Sequence, residues 1–385
     1  MDRNGFGAAA SGRLVSTFGG RKAFVPHPLP PRDLDVSRFL PELTRATQAV
    51  GELKGIGRTV SNPLLLVRPL QRREAVSSSS MEGTYTTLSD LFLFEAGAES
   101  AATRDENREV ANYVRALESA IAELETLPIA TRLLCNAHRV LLTGVARHRG
   151  ATIRPGELKH DQNWIGGGLR IEDARFIPAP PAETPDALND LAAFINREDR
   201  DRGSPLIDAA LAHYQFEAIH PFGDGNGRVG RMLITLMLVE NGTLPQPLLY
   251  MSPTLERQKD RYIDLMYAVS RDGAWEEWVA FFLEAMAASA AETITVVERL
   301  QDLQRDYRER FQTARRSALM LRIVDLAFER PVRSITGFAE ALGVTYAGAA
   351  NNLRELIAHG VAEEVEGTYP KLIRFPGVVE ALRVG

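Results

Sequence analysis

Through most of the chain apolar residues return every third or fourth position, the period of helices that bury one face. This spacing runs from Leu34 to about Gln71, around two glycine-broken turns. Asn107–Leu127 reads as one amphipathic helix, and Ile129–Thr143 as a second, closed by Gly144. The serine run Ser77–Ser80 predicts a helix start, because hydroxyls cap the free N–H groups of a first turn. Helices resume at Pro185, with Ser204-Pro205 and Ser252-Pro253 as further starts and Gly242 and Gly273 as ends. Trp275 to about Arg315 reads as one long helix. Residues 1–32, closing in Pro26, Pro28, Pro30 and Pro31, are expected to form a flexible leader.

The helical period breaks twice. Over Gln162–Pro181, Trp164 and Ile165 precede three glycines, and Phe176 and Ile177 precede prolines, which predicts an extended hairpin or flap. Beyond residue 316 three short helices (Ala318–Glu329, Ile335–Leu342 and one ending at Ala358) precede two short strands, Val361–Val365 and Leu372–Phe375, around Gly367. That order resembles a winged helix-turn-helix. The fold class expected is therefore mainly α, with a small β-hairpin flap and a C-terminal winged helix-turn-helix domain.

Composition changes this picture little. A chain of 385 residues has room for two or three domains, and a net charge of −5 gives no default case for nucleic acid or an anionic membrane. The single cysteine, Cys135, rules out an intramolecular disulfide and a cysteine zinc cluster, and reads as a small buried hydrophobe. No run comes near the ~18 apolar residues of a membrane span, and the first residues lack the apolar core of a signal peptide, so a cytoplasmic protein is expected.

The chemistry is concentrated between Ile219 and Arg231. A helix ends at His220, a tight turn of Gly225, Asn226 and Gly227 follows, and an apolar helix starts near Arg228. Glycines before a helix start leave backbone N–H groups pointing outward, and the positive end of the helix dipole makes the place an anion hole suited to phosphates. Arg228 and Arg231 lie three apart in the first turn, where cations oppose the dipole unless an anion sits between them. Asp224 beside that anion makes sense as a Mg²⁺ ligand, with a plain Asx turn as the rival reading. His220, with an ordinary pKa near 6.5, suits a general base. There is no Gly-Lys-Ser/Thr ending, so a Walker-type site is disfavoured. His213, Glu217 and His220 share a helix face at a spacing zinc can use, but there is no HExxH order and Pro221 breaks the helix beside the third ligand. His213 therefore reads as a packed structural histidine.

The run His220-Pro221-Phe222-Gly223-Asp224-Gly225-Asn226-Gly227-Arg228-Val229-Gly230-Arg231 resembles the Fic family motif, H-P-F-x-[D/E]-G-N-G-R-x-x-R, without departure. Gln162–Gly166 with Ala174–Pro181, and Ala212–Glu217, resemble the family's flap and pre-motif helix, so the likeness spans about residues 35–290. The resemblance implies a protein adenylyltransferase that moves AMP from ATP to a Ser, Thr or Tyr hydroxyl of a target and releases pyrophosphate. It makes His220 the base, Phe222 the anchor of the loop and Asp224 the holder of Mg²⁺. Gly225, Asn226, Gly227, Arg228, Val229, Gly230 and Arg231 line the bound ATP, the two arginines at its β/γ end. Tyr262 lies on a helix that closes over the nucleotide, although its spacing with Met266 also suits core packing.

Ser78-Ser79-Ser80-Met81-Glu82-Gly83 resembles the family's inhibitory motif, [S/T]-x-x-x-E-[G/N], in the class that carries it N-terminal to the core. It implies that Glu82 pairs with Arg231 and takes the cation meant for the γ-phosphate. The division expected is a leader (1–32), an N-terminal helical region (33–115) with the inhibitory motif (78–83), a catalytic core (116–315) and the winged helix (316–385). A protein target is expected to dock at the flap, 162–181, by strand addition. The winged helix carries seven basic against eight acidic residues from Ser317 on, which favours homodimerisation or target docking over DNA. An ATP-sensing transcription regulator, transfer of another nucleotide, and removal of AMP are the alternatives.

Overall fold

The computed structural model describes residues 6–59, 64–98, 104–145, 154–168, 170–200, 203–312 and 318–383. Leu169, inside the expected flap, and residues 313–317, where the long helix was expected to end, lie outside the described residues. The chain opens with an antiparallel hairpin, β1 (Gly12–Ser16) and β2 (Lys22–Pro26), where a loose leader is the sequence expectation. The correction has a packing cause. Ala23, Phe24 and Val25 are buried, and Phe24 N donates to Ile177 O at 2.8 Å, so the hairpin is tied down by the flap it covers.

Among the described residues the helices that follow are α1 (Leu40–Thr59), α2 (Leu64–Met81), α3 (Leu88–Glu95), α4 (Arg104–Glu123), α5 (Thr131–Leu142), α6 (Thr184–Ile195), α7 (Pro205–Ile219), α8 (Asn226–Glu240), α9 (Ser252–Arg257), α10 (Lys259–Asp272) and α11 (Trp275–Phe311). α7 is buried almost all round, as a helix apolar on every face must be, and it packs on α8 at the centre of the core. α1 lies along α11 on one side, and α4 pairs with α5 on the other. One window of α11 is long and apolar enough to cross a bilayer, contrary to the sequence expectation, but 61% of it is buried inside the protein, where it serves as a core helix.

The four serines do not open a helix. They form the last turn of α2, because their hydroxyls find tertiary partners there: Ser78 Oγ accepts from Arg231, and Ser80 Oγ donates to Glu256 at 2.5 Å. The carbonyls of Ser79 and Ser80 then close the helix by accepting from Glu82, Gly83 and Thr84. Ser252 likewise does not cap α9; its N–H and hydroxyl both turn to the buried Glu74 carboxylate.

The flap is thinner than a full hairpin. Ile165 and Phe176 form a single antiparallel bridge (N–H···O 2.8 and 3.1 Å), and Gly166, Gly167 and Gly168 turn the chain at positive φ. A Cβ on Gly167 would lie 1.9 Å from Asp173 O, so only glycine lets the two arms approach this closely. The C-terminal segment holds α12 (Ala318–Glu329), β3 (Val332–Ser334), α13 (Ile335–Leu342), α14 (Tyr346–Ala358), β4 (Glu363–Val365), β5 (Leu372–Arg374) and α15 (Pro376–Ala381). Ser334 and Thr345 cap α13 and α14 through their hydroxyls. Its sheet is antiparallel in the order β3-β5-β4, and β3, three residues long, is a strand the sequence period does not reveal.

Candidate active site

α7 stops at His220 because that residue turns left-handed (φ 50°, ψ 61°) and Pro221 has no N–H to continue the helix. Among the described residues it is the one non-glycine with positive φ. Such a conformation persists only where the surroundings over-determine it. The loop beyond is held from inside. Asn226 Oδ1 accepts from Phe222 N at 2.7 Å and Asn226 Nδ2 donates to Phe222 O at 2.8 Å, so this side chain is spent on the loop rather than facing a ligand. Phe222 is fully buried and stacks on His138, ring centroids 3.9 Å apart.

His138, on α5, has a fixed tautomer. Its Nδ1 accepts from Gly156 N at 2.9 Å, so the proton is on Nε2, which donates to Asp224 O at 3.0 Å. Burial lowers its pKa to about 4, so it stays neutral. The Asp224 side chain keeps 16% exposure; Oδ1 accepts from Gly225 N at 2.5 Å and lies 3.6 Å from Arg228 Nη2. One partly exposed carboxylate at a helix N-terminus fits a Mg²⁺ that takes its remaining ligands from phosphates and water.

The two arginines diverge. Arg231, almost wholly buried, donates from Nε to Ser78 Oγ (2.8 Å), and from Nη2 to Ser78 O (2.7 Å) and Glu82 Oε1 (2.8 Å). Arg228 is fully buried and donates from Nη1 to Glu109 on α4. A free Arg228 beside a shared anion is thus not what the fold contains, because α4 supplies a carboxylate first. Val229 is packed in the core, and Gly230 lies so close to Glu217 that a Cβ there would meet Oε1 at 2.2 Å.

The first turn of α8 faces Glu82. A Cβ on Gly227 would lie 2.1 Å from Glu82 Oε1 and 2.9 Å from Arg231 Nη1, so the glycine is what admits the carboxylate. Burial alone would raise the Glu82 carboxyl, but the charges of Arg231 and Arg228 outweigh it and hold it below its usual value. Burial lowers His220 to about 4, with Lys159 adding to the effect, so the imidazole is neutral near pH 7. Glu217 is pushed the other way, to about 8, by burial; its Oε2 lies 3.8 Å from His220 Nδ1.

Glu82, His220, Gly227, Arg231 and Tyr262 line one cleft, roofed by Ile165 and Phe176 of the flap. Asp224, Gly225, Asn226, Arg228, Val229 and Gly230 are not on its wall. Tyr262 both lines the cleft and is built in, its hydroxyl bonded to His213 Nε2 at 2.8 Å. His213 Nδ1 meets Gly230 O at 2.9 Å, so both ring nitrogens are engaged by protein, as a packed histidine requires. Glu109 and His138 carry the site without standing out in the sequence. Each acts across the fold, and no local spacing marks such a residue.

Two family models match the chain: Fic/DOC family N-terminal over residues 40–122 and Fic/DOC family over residues 128–238, together half of it. Protein adenylyltransferase Fic of Drosophila mojavensis is 31% identical over 142 residues, 37% of this chain and 26% of that protein. Protein adenylyltransferase fic-1 of Caenorhabditis elegans is 32% identical over 93 residues, 24% of this chain and 17% of that protein. The chain thus spans about a quarter or less of the length of these curated relatives. A Fic family protein from Desulfovibrio desulfuricans superposes with TM-score 0.58 at 18% identity, over 90% of this chain and 98% of that one. A Fic domain-containing signaling protein from Bacteroides thetaiotaomicron gives 0.51 at 21% identity, over 66% and 96%. These two likenesses bear on the fold alone. With both family models falling on the helices that carry Glu82 and the His220–Arg231 loop, the chain belongs to the Fic/DOC family.

Proposed function

We propose that this chain is a protein adenylyltransferase, held in an inhibited state by its own Glu82. The observation that carries the reading is the Glu82 carboxylate at the start of α8, bonded to Arg231 and beside a neutral His220. A carboxylate there stands where a phosphate oxygen would bind, since both are anions and the Arg231 guanidinium beside the helix start would meet either. The names of the fly and nematode relatives support the same activity.

His220 takes the proton of a target hydroxyl, and the oxygen attacks the α-phosphorus of ATP. The P–O bond to the β-phosphate breaks, pyrophosphate leaves, and AMP stays on the target. The N–H groups that open α8 and the Arg231 guanidinium hold the phosphates in place. Asp224 would hold Mg²⁺, which neutralises phosphate charge when bound. The exposed edge of the Ile165–Phe176 flap is read as the place where an extended target segment adds as a strand. The C-terminal winged-helix-like unit is read as a dock for a protein or a second copy of the chain.

Incubation with α-labelled ATP and a cell lysate tests the whole reading. Label should appear on protein with Glu82→Gly and disappear when His220→Ala is added. Label transfer that survives His220→Ala would sink it.

A further inference from the structure

The last carbonyls of a helix lose their partners, and here the chain must also leave α7 through a left-handed histidine and a proline. Four successive carbonyls at that exit nevertheless each accept from one of two residues outside the motif. Lys159 Nζ donates to Ile219 O (3.0 Å) and Lys159 N to Pro221 O (2.8 Å). Asn163 Nδ2 donates to His220 O (3.0 Å) and to Phe222 O (2.8 Å). Lys159 Nζ also donates to Asn163 Oδ1 (2.9 Å), which locks the two donors to each other.

Lys159 is 6% exposed, and burial pushes its ammonium well below the ordinary lysine range. A surface lysine would cap a helix end without that desolvation, so burying one at this spot needs a reason. The carbonyls it holds flank the one strained non-glycine residue among those described.

We infer that Lys159 and Asn163 are positioning residues for the reaction, a clamp that imposes the left-handed turn and so aims the His220 imidazole into the cleft. This rests on His220 being the base. The groups facing His220 are Glu217 on its own helix, Glu82 from α2, Lys159 from the clamp and Asp224 from the motif loop.

The test uses Lys159→Met, Asn163→Ala and Lys159→Arg in the full chain. Transfer is read in a Glu82→Gly background, and the His220 ring is titrated by NMR in the otherwise unaltered chain. Lys159→Met and Asn163→Ala should lower kcat ten- to a hundredfold with KM for ATP within twofold. Both should move the His220 midpoint up from about 4 towards 6.5, as the ring leaves its buried place. Lys159→Arg, which keeps donors at that position, should restore most of kcat. Asn163→Ala removes no charge, so an unchanged midpoint and kcat in that variant overturn the clamp, even if Lys159→Met shifts both. Asn163→Ser replaces it should Asn163→Ala not fold. If the Glu82→Gly parent transfers no AMP, the proposed function falls while the titration still decides the clamp.

Discussion

At the scale of residues, one cation decides between two states. Arg231 has three donors committed, two to Ser78 on α2 and one to Glu82 just beyond it, and in the proposed function that last bond competes with a γ-phosphate. A charge-assisted bond of this kind is worth roughly 1.5–3 kcal/mol. Fully expressed in the barrier, its loss raises transfer on the order of ten- to a hundredfold, since about 1.4 kcal/mol is one factor of ten. Glu82→Gly is therefore expected to gain that much in self-labelling with ATP, and Glu82→Gly with Arg231→Ala to give the gain back. His220→Ala should abolish transfer yet leave ATP affinity within a few-fold by calorimetry, because a base that acts on the target hydroxyl has no necessary contact with phosphate.

At the scale of elements, the buried Arg228–Glu109 pair ties α8 to α4. Removing one partner of a buried pair leaves a charge uncompensated and costs about 3–5 kcal/mol. Arg228→Ala should thus lose stability of that order in urea melts, while Arg231→Ala, whose partner Glu82 keeps 28% exposure, should lose much less. Equal losses would mean that the two arginines share one structural task. The same contrast marks what was legible in the sequence. α13 and the start of α7 lie where period and punctuation place them, because a 3.6-residue repeat and a Ser-Pro start are local signals. The serine turn of α2 looks like a helix start in sequence, because the partners its hydroxyls answer to, Arg231 and Glu256, lie more than 150 residues away. The hairpin β1–β2 leaves no local signal because what ties it down, Ile177, lies in the flap more than 150 residues on. Of the site, the linear run from His220 to Arg231 was readable, together with Glu82. The donors and carboxylates that hold the run in place were not, since they arrive from α4, α5, the first residues of the flap and Lys159 just before it.

At the scale of the molecule, buried titratable groups set a pH window for folding. His213 is lowered to about 3, and His138 and His220 to about 4, each first by burial. A lowered histidine gives stability that is present above its unfolded value near 6.5 and is lost as pH falls through the folded one. Glu217, raised to about 8, acts in the opposite sense: its contribution is full below about 4.5 and fades as pH rises to 8. Three groups against one predict melting temperatures that climb from pH 4 to 6.5; above that the buried Lys159, lowered by desolvation, opposes Glu217. A curve flat or falling between 4 and 6.5 would contradict the assignment. The N-terminal hairpin works at the same scale. Deleting residues 1–26 removes the Phe24–Ile177 bond and the cover over the flap, so the amides of Ile165 and Phe176 should lose protection from hydrogen exchange.

The near-contact between Gly227 and Glu82 has a genetic consequence. Any side chain at position 227 would evict the inhibitory carboxylate, and would occupy the same space that a phosphate oxygen needs. Restraint and substrate binding therefore cannot be separated by changing that codon. A selection for hyperactive alleles should return changes at Ser78 and Glu82, on the last turn of α2 and just beyond it, and none in the glycine turn that receives the carboxylate.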